Sequence, residues 1–260
     1  MSSVIRRLLS TRRAKLSIVA LLLIGLMALC APLLPEPSAA RSLALGARGL
    51  ILIGASAAIL SIAVGAAAGA SAAYTGGLWD GLVTRLVEVL TVFPGIMLVA
   101  LLRALDPHPS TWTWIASLAM VRVAEVARLT RAEVLRLSGE EFVQAARAMG
   151  ASPVRILWHH MGPHLAAALA QSAVFTVGAL VVIDAAMSLL GLGASPSAFS
   201  WGGSIASAVS ASRPGSALVP ATALVFTVLA LSWLADAVRE ALDPYRVSST
   251  PLRQRPTGSR

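Results

Sequence analysis

Apolar residues in this chain gather into six long runs separated by short polar or proline-rich breaks. The runs predict helices over 16–34, 49–73, 86–104, from near Trp112, over 164–192, and over 216–238. At roughly 1.5 Å per residue, about 20 helical residues cross a hydrocarbon core of about 30 Å. The pattern therefore predicts an all-α, polytopic membrane protein with about six transmembrane helices. Pro32, Pro35 and Pro37 close the first run, and Phe93-Pro94 predicts a kink inside the third. In the second run Gly65 and Gly69, and Gly54 and Ala58, form small-xxx-small pairs that predict close helix packing. The Ser-, Gly- and Pro-rich stretch 194–214 predicts a short external re-entrant or interfacial helix.

Composition agrees with the pattern. Of 260 residues, 57% are hydrophobic and 13% charged, too apolar for a soluble globule of this length. The net charge of +9 raises nucleic acid as a partner, but the basic residues flank apolar runs without interleaved aromatic residues, so they belong with a membrane surface. Residues 1–15 hold Arg6, Arg7, Arg12, Arg13 and Lys15. The run that follows exceeds the about 7–15 residues of a signal core, so it predicts an anchor. With both termini cytoplasmic, 16 of the 21 basic residues fall on one side, as the positive-inside bias requires. The lone Cys30 excludes an internal disulfide.

The longest internal polar segment, 139–163, lies between the fourth and fifth runs. Val143 to Met149 are good helix formers, and Gly150 predicts a left-handed stop. Ala145, Ala146 and Gly150 predict a small-residue face that another backbone approaches closely, with Arg147, Glu140 and Glu141 fixing register by charge.

This segment resembles the coupling segment of ATP-binding cassette importer permeases, in the form found in the peptide/nickel branch. Glu141, Phe142, Val143, Ala145, Ala146, Arg147, Ala148, Gly150, Ala151, Ser152, His160 and Pro163 stand at matching positions; Gln144 replaces the usual Glu, and Met161-Gly162 the usual Ile-Leu. The resemblance extends over about 70–245. Gly76, Gly77, Asp80, Glu88, Phe93 and Pro94 match one stretch, and Ala127 to Leu135 match the helix leading out of the membrane. Asp184, Ser188, Leu190 to Gly193, Trp201 and Gly202 match a further stretch, with Asp for Glu, and Arg239, Glu240, Asp243 and Pro244 the closing one. Leu34 to Gly49 lacks the family's external Gly-Thr-Asp and Gly-Arg-Asp elements.

The resemblance implies a permease subunit in the bacterial inner membrane that uses no cofactor of its own. It would pair with a second, homologous permease, two cytoplasmic ATPase subunits and an extracytoplasmic solute-binding protein. Coupling would run through Glu141, Phe142, Gln144, Ala145, Ala146, Arg147, Met149, Gly150, Ala151 and Pro163, and the solute would be a peptide or, second, nickel or a metal chelate. No phosphate-cradling Gly-x-x-x-x-Gly-Lys-Ser/Thr loop occurs, so ATP hydrolysis belongs to a partner and the chain is no enzyme.

Several charged residues have two readings. Glu88 pairs with Arg85 at the interface or serves transport. Arg122, Glu125, Arg128 and Arg131 recur at steps of three and predict pairing along one side of a helix, with Arg122 and Glu125 either a buried pair or pathway lining. His159, His160 and His164 raise a metal site, but Pro163 is expected to interrupt their helix, which favours packing. A self-sufficient secondary transporter or channel, with Asp184, Glu88 and Arg122/Glu125 as ion-coupling groups, is the competing class. Residues 246–260 predict a disordered cytoplasmic tail.

Overall fold

A computed structural model describes residues 11–34, 39–106, 108, 110–193 and 200–242. Among them every regular element is helical. The basic N-terminal segment is thus described only from Thr11. Pro35, Pro37, Pro107, Pro109, Asp243, Pro244 and the expected tail lie outside the described residues.

Helix α1, Arg12–Cys30, starts where the Thr11 hydroxyl accepts from the Ala14 amide at 3.3 Å. Helix α2, Ala39–Gly49, continues through a π-helical turn, Leu50–Ala55, into α3, Ser56–Thr75. The second apolar segment, Ala40–Thr75, therefore begins nine residues before the expected Gly49. Its added part turns Ala44, Gly46 and Ala47 inward, where Trp201 covers Gly46 and donates its indole N–H to the Leu43 carbonyl at 3.0 Å. Gly76, at φ +65°, ends α3, and α4, Gly77–Val92, follows at once. At Phe93-Pro94 the chain does more than kink: both residues are extended, and α5, Gly95–Ala104, leaves at 95° to α4. A residue before proline is driven out of the helical region, and here Pro94 stays extended as well.

Helix α6, Thr111–Ser138, opens with a capping box between Ser110 and Thr113. After α7, Glu141–Ala148, the chain enters one helical run over 153–189, made of α8, Pro153–Arg155, a π-helical turn, Ile156–Met161, and α9, Gly162–Leu189. Pro163 was expected to interrupt this run and does not. It sits in the first turn of α9, directly after the wide π turn, where its missing N–H costs little. The 37 residues extend over about 55 Å, well beyond a hydrocarbon core of about 30 Å. The expected short helix after 194 is α10, Trp201–Ser210, and α11, Pro214–Leu242, carries Pro220 inside it.

Among the described residues four helical segments qualify as spans by length and apolarity, and a fifth if α4 and α5 form one broken span. The sixth expected span, α6, has the length at 28 residues but carries six charged side chains.

The core is built on close backbone approach. A Cβ on Gly65 would lie 2.8 Å from the Val123 carbonyl oxygen, and one on Gly69 only 2.2 Å from that of Ala127. These two glycines therefore let α3 lie directly on α6, and Ser61 ties the crossing by donating to the Ala119 carbonyl at 3.0 Å. Gly54 is different, since a Cβ there would meet Val181 at an ordinary 3.5 Å. Trp114 and Leu118 from α6 and Leu180 and Met187 from α9 fill the interior.

Candidate coupling helix and the polar groups of the bundle

Helix α7 is placed by its inner face. Val143 and Ala146, three residues apart and almost fully buried, pack with Val134 and Leu137 of α6 and with Ile156, Met161 and Leu165 of the long run. Its C-terminus is a Schellman motif: the Ala151 amide donates to the Ala146 carbonyl at 3.1 Å, the Gly150 amide to the Arg147 carbonyl at 3.0 Å, and Gly150 has φ +79°. Before the helix, Arg136 is bound by Glu133 at 2.6 Å and Glu140 at 3.0 Å.

Ala146 therefore belongs to the chain's own core and does not share an outward face with Ala145 and Gly150, as the sequence predicted. A small residue is needed there because the helix lies close on Ile156 and Met161. The outward stripe is Phe142, Ala145 and Met149, at spacings of three and four. Met149 is 80% exposed, Phe142 is 38% exposed, and the Phe142 ring stacks on His164 at 5.3 Å. Glu141, Gln144, Arg147 and Gly150 are also exposed, Pro163 is exposed on α9, and Ala151 is half-buried. Trp158, 73% exposed, and Val154 add to the apolar surface beside the stripe.

The four charges at steps of three do not share one side of α6. Each step of three residues falls about 60° short of a full turn, so Arg122 and Arg131 point to opposite faces. Arg131 binds Asp80 of α4 with two parallel contacts, Nε to Oδ1 at 2.6 Å and Nη2 to Oδ2 at 2.7 Å. The sequence marked both residues without joining them, because 51 positions separate them. Arg122, on the other face, pairs with Glu125, and its guanidinium lies 5.5 Å from the Phe175 ring centre. Glu88 pairs with Arg85 at 2.8 Å on an exposed face.

Asp184 is held by two donors, the Trp114 indole N–H at 2.9 Å and the Ser200 hydroxyl at 2.8 Å, and Ser188 contacts Ser200 at 3.3 Å. Trp114 and Ser200 were missed in the sequence; a carboxylate in a span requires such donors, but nothing local names them. Arg103 stacks 5.9 Å over Trp114 and reaches the Gly193 carbonyl. Among the described residues no three His, Cys, Asp or Glu side chains converge as metal ligands. Neither Asp184, fixed by two donors, nor Glu88, paired at the surface, favours the secondary-transporter reading.

The chain is similar to the glutathione transport system permease protein GsiD of Escherichia coli O6:K15:H31 (strain 536 / UPEC), 34% identical over 205 residues that cover 75% of this chain and 67% of that protein. It is similar also to GsiD of Shigella flexneri serotype 5b (strain 8401), 36% identical over 171 residues, 65% of this chain and 56% of that protein. A Brucella ovis (strain ATCC 25840 / 63/290 / NCTC 10512) protein, whose name proposes it as a peptide permease, is 33% identical over 204 residues, 76% and 67% of the two chains. Residues 61–247 match the family described as binding-protein-dependent transport system inner membrane component. With its apolar helices and this match over most of its length, the chain belongs to that family: it is a multi-pass inner-membrane permease subunit of an ATP-binding cassette importer, a transport subunit and not an enzyme.

Proposed function

We propose that this permease imports peptides by alternating access and that α7 receives the stroke of a partner ATPase. The observation that carries the coupling role is the division of α7 into an inner face locked to the chain's core and an outer stripe, Phe142, Ala145 and Met149, that stays exposed although the Phe142 ring stacks on His164. A helix held this way moves with α6 and the long run 153–189, so force applied to its outer stripe reaches the membrane. The peptide reading rests on the relatives named for glutathione and peptide transport.

In this reading the subunit has six spans, with α4 and α5 as one broken span and α6 as the charged one, and both termini are cytoplasmic. It works beside a homologous permease, two cytoplasmic ATPases and an extracytoplasmic solute-binding protein. The apolar outer residues of α4 and α5, among them Leu78, Leu82, Leu86, Val92 and Met97, meet lipid or the second permease. Co-purification of the tagged chain with its ATPase tests the docking role, comparing wild type with Ala145→Glu and Met149→Glu. Burying an unpaired carboxylate at a docked face costs several kcal/mol, so both variants lose the ATPase while the second permease stays bound. Full retention of the ATPase in both would sink the assignment.

A further inference from the structure

A second polar feature lies away from α7, between α6 and α9. There the two helices part to leave a cavity of about 430 Å³, lined by Arg122, Glu125, Arg128, Gln171, Ser172 and Phe175 among others. Its size falls within the roughly 300–1,000 Å³ of small-molecule sites. Three ionisable groups line this cavity, and in the six-span reading, where α6 crosses the membrane, such groups are costly unless function keeps them there. Two guanidinium groups face one carboxylate, which leaves one positive charge.

Arg122 is the informative group. Its side chain is nine-tenths buried, its guanidinium is placed over Phe175 and its contact to Glu125 is made, yet its buried Nε has no hydrogen-bond partner among the described residues. A buried N–H of a charged group left without an acceptor is an expensive arrangement for a purely structural residue. Arg128 is exposed and forms no ion pair among the described residues. Gln171 and Ser172 add neutral donors and acceptors on the opposite wall, and Phe175, 55% exposed, adds an apolar surface.

We infer that this cavity is a solute subsite that takes a carboxylate, the C-terminal group of a peptide, between Arg122 and Arg128. Glu125 holds the Arg122 guanidinium against Phe175, Gln171 and Ser172 meet the adjoining amide, and Phe175 carries the neighbouring side chain. This rests on the peptide reading above and adds the end of the peptide that is recognised and the residues that recognise it.

The test places a single thiol in the cavity of the assembled transporter in nanodiscs, using Ser172→Cys in a Cys30→Ala background, and follows modification of this chain by anionic and cationic methanethiosulfonates. Corrected for their rates with a free thiol, the anionic reagent should be favoured about tenfold, the effect of one unit charge several ångströms away in a half-solvated site. Arg128→Gln should remove most of that preference. Trialanine should then slow modification at a concentration at least about tenfold lower than trialanine amide does, the size of one charge-assisted hydrogen bond. Equal rates for the two reagents, a thiol that does not react in the assembled transporter, or equal protection by acid and amide would each overturn the subsite. Peptide uptake by the wild-type transporter is measured alongside. Its absence would refute the peptide reading, while the protection pattern would still decide whether the cavity binds a carboxylate.

Discussion

Replacing Gly69 by alanine probes the contact on which the bundle is built. An added Cβ would lie 2.2 Å from the Ala127 carbonyl oxygen, 2.9 Å from its carbon and 3.0 Å from the Arg131 amide nitrogen, all backbone atoms of α6. No rotamer change relieves this, so α3 and α6 must separate by about 1 Å, and overpacking of this kind costs about 1–3 kcal/mol. Against that stands up to about 1 kcal/mol gained by replacing a helical glycine. The net expectation is a loss of about 1–2 kcal/mol. Gly178→Ala is the control, because a Cβ there meets Leu231 at an ordinary 3.6 Å, and its net effect is neutral or stabilising. Thermal unfolding of the purified transporter in nanodiscs reads both, at about 2–4 °C per kcal/mol for a domain of 150–250 residues. Equal melting temperatures for Gly69→Ala and wild type, or an equal loss in Gly178→Ala, would refute the account of the α3–α6 contact.

Three further outcomes follow from two polar contacts and one backbone turn. Asp80→Ala and Arg131→Ala are expected to couple by about 1 kcal/mol in a double-mutant cycle of stability, since their two-contact pair is only partly shielded from solvent. Gly150→Ala forces a side chain into φ +79°, so about 1–2 kcal/mol of local strain should raise protease cleavage between α7 and α8 severalfold, and an unchanged cleavage rate would count against the Schellman stop. Trp114→Phe removes one of the two donors that hold Asp184 and is expected to cost about 1–3 kcal/mol in thermal unfolding; Ser200→Ala removes the other with a similar loss.

What the sequence made readable was local. The extent of α7 and its stop at Gly150 follow from propensity and one left-handed position, and the break at Phe93-Pro94 follows from proline sterics. The close approach at Gly65 and Gly69 was visible as a spacing. Ala146 was misplaced because an eight-residue helix does not announce which side its neighbours occupy; Ile156 and Met161, which cover it, lie beyond a turn. The Asp80–Arg131 pair and the Trp114–Asp184–Ser200 set join residues 51, 70 and 16 positions apart, and no periodicity links them. Pro163 misled because a proline normally ends a helix, whereas the π turn over Ile156–Met161 makes room for it.

The central claim, that this permease moves solute only when ATP drives partner subunits docked on α7, is tested most directly by uptake into proteoliposomes. They would contain the permease pair with or without its ATPases, supplied with peptide-loaded binding protein and ATP. The account predicts uptake that requires both ATP and the ATPases and is abolished by Ala145→Glu. Uptake by the permease pair alone, driven by an ion gradient and indifferent to Ala145→Glu, would contradict it.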